Sequence, residues 1–257
     1  MGNIYQQMII PEQINLSHLP RHIAVIMDGN GRWAEDRGQD RLFGHLHGVE
    51  SVRDVVEGAA EIGIQYLTLY AFSTENWSRP KEEVNGLMEL LVDTIKKEVP
   101  TLNKNNIRLR VIGDMEKIPA NASHELKEAL HETSANTGMQ LVMALSYSGK
   151  WEILHAIQAI AADAASHKIQ PEEINEEKFR SYLSTSDIPD PELMIRTSGE
   201  HRISNFLLYQ LAYAELYFSH VLWPDFRKAN LLEAILDYQK RERRFGKTGE
   251  QIKIVKP

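Results

Sequence analysis

The sequence predicts a single α/β domain with a mainly parallel, six-stranded sheet flanked by helices, and three observations carry that prediction. Six short apolar or alternating runs, at 23–27, 66–72, 107–112, 139–145, 193–196 and 216–221, have the length and patterning of strands. Between them lie stretches with apolar residues at three- and four-residue steps, which imply crossover helices and hence parallel neighbours. The 257 residues, 42% hydrophobic and 25% charged, show no repeat, low-complexity tract or linker, so one core suffices.

Taken in order, the chain starts without the apolar stretch of a signal peptide. Met1-Gly2 is followed by Gln6, where N-myristoylation needs Ser or Thr, so residues as far as about Leu19 are expected to be a flexible leader. Strand 23–27 is continuously apolar and is expected to be buried on both faces. Val49, Val52, Val56 and Ala60 follow at helical spacing, and Val84, Leu87, Met88, Leu91, Ile95 and Val99 do the same after strand 66–72. Further helices are expected over 123–133, 150–165, 172–183, 203–213 and 228–243. No stretch approaches the roughly 18 apolar residues of a membrane span.

Composition narrows the chemistry. The chain has no cysteine, which excludes disulfides, thiol nucleophiles and iron–sulfur clusters and fits a reducing cytoplasm. A net charge of −7 argues against a general nucleic-acid binder, because backbone affinity needs surplus Lys and Arg. An anionic substrate would have to be held by a local cluster.

Three such clusters fall at strand ends, where open parallel sheets bind ligands. The first strand stops at Asp28-Gly29-Asn30-Gly31-Arg32-Trp33. Its glycines allow close backbone approach, its amides suit phosphate oxygens and Arg32 offers a charged fork. Alone, that turn reads better as a tight bend with a solvated Asp. The second strand ends at Ser73-Thr74-Glu75-Asn76-Trp77-Ser78-Arg79, which could also be a helix cap beside a packing tryptophan. The fifth ends at Arg196, with Arg202, Ile203 and Ser204 shortly after, and Ser204 is expected to open a helix. Two forks and a hydroxyl suit a diphosphate, although solvated salt bridges fit the charges as well. Arg41 and His45 add a basic pair. Glu215, set among aromatic residues, needs a partner or a metal, and with Asp28 it forms a hard-cation ligand set fitting magnesium. Glu215 opens its strand whereas Asp28 closes one, so the two would stand at opposite sheet edges unless a partner subunit joins them.

With these residues assembled, the chain resembles the cis-prenyltransferases, the family of bacterial undecaprenyl diphosphate synthases. The matching blocks are 22–34, Gly44-His45 with Gly48, 70–80, 196–206, 214–218, 223–225 and 241–246, all in family order. The resemblance implies a catalytic domain over 20–246, between a flexible segment 1–19 and a tail 247–257. It implies a magnesium-dependent homodimer that adds isopentenyl diphosphate units, with cis double bonds, to farnesyl diphosphate. The product would be a long polyprenyl diphosphate of the undecaprenyl kind, the lipid-carrier precursor for cell-wall glycan synthesis.

By the same resemblance, Asp28 holds magnesium and assists departure of the allylic diphosphate. Gly29, Asn30, Gly31, Arg32, Trp33, Arg41 and His45 bind that diphosphate. Arg196, Arg202, Ile203 and Ser204 hold the isopentenyl diphosphate, and Glu215 helps magnesium in the same or the partner subunit. Ser73, Thr74, Glu75, Asn76, Trp77 and Arg79 line the reacting centre. Asn76 is the family's candidate proton acceptor, but an amide is a feeble base, so water, a phosphate oxygen or Asp28 is expected to share that task. The helices after the first two strands would form an apolar tunnel, with small Ala71 and bulky Leu141 suiting a long tunnel with a floor. Release of so apolar a product implies peripheral membrane contact by a cytoplasmic protein.

One departure stands out. The family's Gly-Gly-Arg is replaced by Ser148-Gly149-Lys150, which predicts a local change in that turn. Alternatives are a synthase of another chain length, a phosphatase or phosphotransferase, for which no good nucleophile is evident, and a non-catalytic partner subunit. The last can lose its catalytic acid, and Asp28 is present.

Overall fold

The continuous apolar run at the start of the sequence becomes the centre of the molecule. In a computed structural model describing residues 13–244, β1 (His22–Ile26) is buried along its whole length. Its alternation feeds two cores. Ile23 and Val25 pack with Val55, Val56 and Ala59 on one face, while Ala24 and Ile26 pack with Phe206, Leu207 and Leu211 on the other.

The remaining strands are β2 (Tyr66–Ser73), β3 (Arg108–Ile112), β4 (Gln140–Tyr147), β5 (Leu193–Arg196) and β6 (Glu215–Phe218). All pairings are parallel, and the order is β3-β4-β2-β1-β5-β6. The chain leaves β1 toward β2 on one side, and β5 joins β1 on the other. The carboxyl end of β1 is therefore the switch point, where a parallel sheet opens a crevice.

Helices α1 (Asn30–Glu35) and α2 (Arg41–Ile62) connect β1 to β2, and α3 (Lys81–Lys104) connects β2 to β3. The others are α4 (Ala120–Glu132), α5 (Gly149–Ala165), α6 (Glu176–Arg180) and α7 (Lys228–Gln239). Asp40 caps α2 by accepting from the Phe43 N–H, and Gly63 ends it with φ of 92°. Among the described residues no helix is long and apolar enough to cross a membrane.

Strand β6 ends three residues before the expected 221 and α7 four before the expected 243, and the structure departs further at four places. Residues 30–35 form a helix rather than only a turn: Gly29 takes φ of 105° and α1 seats on α2, where Trp33 stacks on Phe43 at 5.9 Å. Residues 172–183 hold just the short α6 after a turn at Pro171–Glu173. Residues 203–213 are turns, because Ser204, Asn205 and Leu207 have φ of 47°, 62° and 44°, incompatible with a helix. Phe206 instead stacks on Tyr70 at 4.3 Å, and Gln210 donates to the buried Glu152 carboxylate at 2.8 Å. Finally, residues 13–19 are anchored rather than loose. Ile14 enters the core, and Gln239 donates to the carbonyls of Asn15 and His18 at 2.8 and 3.2 Å. The rest of the expected leader, residues 1–12, and the tail 247–257 lie outside the described residues.

Candidate active site

Asp28 follows β1 by two residues and is held by its backbone as much as by its side chain. Its N–H donates to Thr197 Oγ1 at 2.8 Å, and its carbonyl accepts from Thr197 Oγ1 at 2.6 Å and from the Trp223 N–H at 3.0 Å. One carboxylate oxygen accepts from the Gly29 N–H at 2.8 Å and the other from Arg196 Nη2 at 2.8 Å. Burial pushes this carboxyl up, but Arg196, Ser198 and the Gly29 amide outweigh it and hold the group below the usual carboxylate range. Asp28 is ionised at neutral pH, and with Arg196, Ser198 and the Gly29 amide as donors it keeps acceptor capacity to spare.

Arg196 is only 3% exposed. Besides Asp28 it donates to Ser204 Oγ at 2.7 Å and to the Arg202 carbonyl at 2.5 Å. The left-handed turn at Ser204 thus does what a helix start was expected to do, bringing that hydroxyl beside Arg196. Arg32 reaches the same corner, donating to Ser198 Oγ at 2.5 Å. Gly31 leaves room for the Arg41 guanidinium, whose carbon would lie 2.7 Å from a Cβ there, so a larger residue would displace that side chain. Arg41 and Arg79 converge on Glu83, at 3.7 and 2.9 Å.

The loop after β2 is a capping box. The Asn76 side-chain oxygen accepts from the Ser73 N–H at 2.9 Å, so its NH₂ is what remains to meet a ligand. Thr74 donates to Ser148 Oγ at 2.8 Å, and Glu75 accepts from Asn205 at 2.7 Å. The replaced turn at Ser148-Gly149 therefore braces the site. A Cβ on Gly149 would lie 2.6 Å from Leu208 Cγ, so glycine is needed where the 203–213 segment crosses. Trp77 donates to Ser146 Oγ at 2.9 Å and packs edge-on to Phe72, as a core residue.

Nine of the expected residues line one cavity of about 560 Å³: Asp28, His45, Ser73, Glu75, Asn76, Arg79, Arg196, Arg202 and Ser204. Gly29, Asn30, Gly31, Arg32, Trp33, Arg41, Thr74, Trp77 and Ile203 do not line it. Trp33 is buried beneath α1, with the Arg37 guanidinium 3.7 Å above its ring. Ile203 packs into the core with Phe206. His45 is lowered to about 4 by burial, with Arg79 and Arg41 adding to the effect, and is neutral at pH 7. Tyr70 and Asn205 also line the cavity and were missed. Both sit inside the quoted blocks, next to Ala71 and Ser204, so adjacency was the available signal.

Glu215 stands elsewhere. It pairs in register with Leu193 at the start of β5, whereas Asp28 lies beyond Ile26, whose partner Arg196 ends β5. At about 3.3 Å per residue, the two carboxylates are more than roughly 10 Å apart along the strands. Glu215 accepts from Arg241 at 3.1 Å instead. Within one chain the two do not share an ion. An exposed group on α4, His124, Glu125 and Glu128, lies off this edge, with Glu125 paired to Lys96 at 2.9 Å.

Two smaller apolar cavities continue from the polar one. The first, about 150 Å³, shares Met27, His45, Tyr70, Ala71 and Leu87 with it. The second, about 70 Å³, shares Val49, Val52, Thr94 and Met143 with the first and reaches Leu141.

Residues 26–246 match the model of the undecaprenyl diphosphate synthase family of prenyltransferases. An isoprenyl transferase from Chlorobaculum tepidum is 57% identical over 91% of this chain and 89% of its own length. A ditrans,polycis-undecaprenyl-diphosphate synthase, (2E,6E)-farnesyl-diphosphate specific, from Vibrio cholerae is 51% identical over 92% and 95%. Among solved structures, lavandulyl diphosphate synthase from Lavandula x intermedia, in complex with dimethylallyl diphosphate, superposes with a TM-score of 0.86 at 36% identity, covering 89% of this chain and 99% of that one. A probable undecaprenyl diphosphate synthase from Campylobacter jejuni gives 0.74 at 34%, covering 91% and 100%. A family match across most of the chain, relatives more than half identical and a shared fold agree with the arginine-rich crevice at the sheet's switch point: this chain belongs to the undecaprenyl diphosphate synthase family.

Proposed function

We propose that this protein is a cis-prenyltransferase that condenses isopentenyl diphosphate units onto farnesyl diphosphate to build a long polyprenyl diphosphate of the undecaprenyl kind. The observation that carries this reading is the junction of a polar cavity, crossed by Asp28, Arg196 and Ser204, with apolar cavities between α2, α3 and the sheet. Such a junction suits a substrate with a diphosphate head and a hydrocarbon tail.

In this reading the allylic diphosphate sits against Gly29–Arg32, Arg41 and His45, and the isopentenyl diphosphate against Arg196, Arg202 and Ser204. Neutral His45 acts as a hydrogen-bond partner rather than a counter-ion. The ionised Asp28, with lone pairs to spare, fits magnesium, which takes one or two carboxylates and completes its shell with waters and phosphate oxygens. Bound there, the ion would neutralise charge building on the departing diphosphate. Arg32 and Arg41 share that load.

The isopentenyl double bond then attacks, and a proton leaves its adjacent carbon. With its oxygen engaged by Ser73, Asn76 orients a phosphate through its NH₂, and the proton passes to a phosphate oxygen or water. Glu215 belongs to the metal site only in a homodimer whose partner completes it, and the apolar product leaves toward a membrane surface.

The direct test is incubation of purified protein with farnesyl diphosphate, labelled isopentenyl diphosphate, magnesium and detergent. Polyprenyl diphosphate products that vanish when EDTA is added are expected. Absence of any incorporation would overturn the reading.

A further inference from the structure

The tail cavities are too small for the product. An apolar cavity of roughly 150 Å³ holds one benzene-sized molecule. The two apolar cavities, about 150 and 70 Å³, therefore take no more than the first few isoprene carbons. A tail of dozens of carbons needs α2 and α3 to move apart. Interiors resist such movement unless a seam is available.

That seam is crossed by two ion pairs among the described residues. Arg41 of α2 meets Glu83 of α3 at its polar end, at 3.7 Å. At the far end, Arg53 of α2 grips Glu98 of α3 through Nε at 3.2 Å and through Nη2. Both Arg53 and Glu98 line the deeper cavity, beside Val52, Val56, Ile95 and Val99. Glu57 lines it too, and with Glu50 surrounds Arg53 with negative charge. Removing Arg53 would thus leave Glu98 facing Glu57, changing attraction across or beside the seam into repulsion. Behind α3, Lys96 pairs with Glu125 of α4 at 2.9 Å, so α3 is held from both sides at this level.

We propose that the Arg53–Glu98 pair is a latch between α2 and α3 that sets how far the tail cavity opens, and so helps set product length. This rests on the proposed function, with the tail growing between these helices. Arg53 is about half exposed, with 48% of its side chain accessible. Glu98 is more sheltered, at 15%, but solvent on the Arg53 side keeps the pair weak, which suits a latch that resists elongation without forbidding it. The pair borders the deeper cavity and not the polar one, so it acts on late condensations and leaves the first untouched.

The test compares product lengths from farnesyl diphosphate in the parent, Arg53→Gln, Glu98→Gln and the charge-swapped Arg53→Glu/Glu98→Arg. Arg53→Gln is expected to lengthen the main product by at least one C5 unit, with the rate of the first condensation unchanged. Glu98→Gln should shift it less, since it breaks the pair without leaving Glu98 opposite Glu57, and the swap should restore parental lengths only in part, because the new carboxylate at position 53 lies between Glu50 and Glu57. A second test uses the absence of native cysteine: Arg53→Cys/Glu98→Cys bridged by a short bismaleimide should give shorter products than the unbridged form. Parental lengths in Arg53→Gln, or equal lengths with and without the bridge, overturn the latch. A parent that makes no polyprenyl product overturns the proposed function instead.

Discussion

The two ends of the same sheet carry similar charges and use them differently. At the carboxyl edge, Asp28 and Arg196 pair at 2.8 Å on the wall of a cavity of about 560 Å³, and each has further donors or acceptors turned toward it. At the amino edge, Glu215 pairs with Arg241, which is also gripped by Asp237 at 3.0 Å, and Glu192 meets Arg243 at 2.6 Å. These amino-edge pairs tie β6 and the 192–193 region to α7 and the residues after it. An acid and an arginine make a strut where strands begin and a site where they end, because a parallel sheet opens its crevice only outside its carboxyl ends.

Three measurements would break or sharpen this contrast. The largest effect is expected at the carboxyl edge. Asp28→Asn keeps an acceptor for the buried Arg196 but removes the charge, and isopentenyl incorporation should fall about a thousandfold, or about 4 kcal/mol of barrier. Rates within tenfold of the parent would remove Asp28 from the chemistry.

The second effect belongs to the amino edge and to stability. His22 is nearly fully buried, its ring nitrogens 2.6 Å from the Pro189 carbonyl and 2.7 Å from Thr68 Oγ1. Burial lowers it from 6.5 to about 4. The folded state thus resists a proton that the unfolded chain accepts. The stabilisation is fully present above pH 6.5 and is lost as pH falls from 6.5 toward 4, amounting to about 3 kcal/mol. Urea unfolding at pH 7 and pH 4.5 should show that loss together with a similar one from buried His45, and His22→Gln should remove the His22 share. An unchanged slope in the variant would place the acid sensitivity elsewhere.

The smallest effect is expected for Glu215→Gln. Arg241 retains Asp237, so unfolding free energy should change by less than about 1 kcal/mol. Because a second copy is proposed to bring this acid to the ion, half-maximal rate should need about tenfold more magnesium. An unchanged magnesium requirement would leave Glu215 as a strut alone.

Much of this was legible before the fold was known. The strands, the long helices after the first two of them and the three strand-end clusters rest on periodicity and on the positions of Gly, Ser and Arg. Helix α1 was not legible, because Gly29-Asn30-Gly31 has the composition of a turn. It exists because α2 offers glycines at the contact: a Cβ on Gly44 would come within 1.9 Å of the Asn30 carbonyl oxygen. The 203–213 segment failed for the opposite reason. Its apolar spacing mimics a helix, yet Phe206 and Leu207 are drawn into the core and the backbone bends into left-handed turns to deliver them.

By itself, then, the sequence determined the α/β architecture, the buried first strand and the cast of charged residues, since these follow from local spacing and side-chain chemistry. Only the tertiary structure decided which of them meet. Asp28 and Arg196 are far apart in the chain yet lie beside each other because β1 and β5 run parallel in register, and that same register carries Glu215 to the opposite edge. Strand order and direction are long-range choices of the packed core, and no window of sequence contains them.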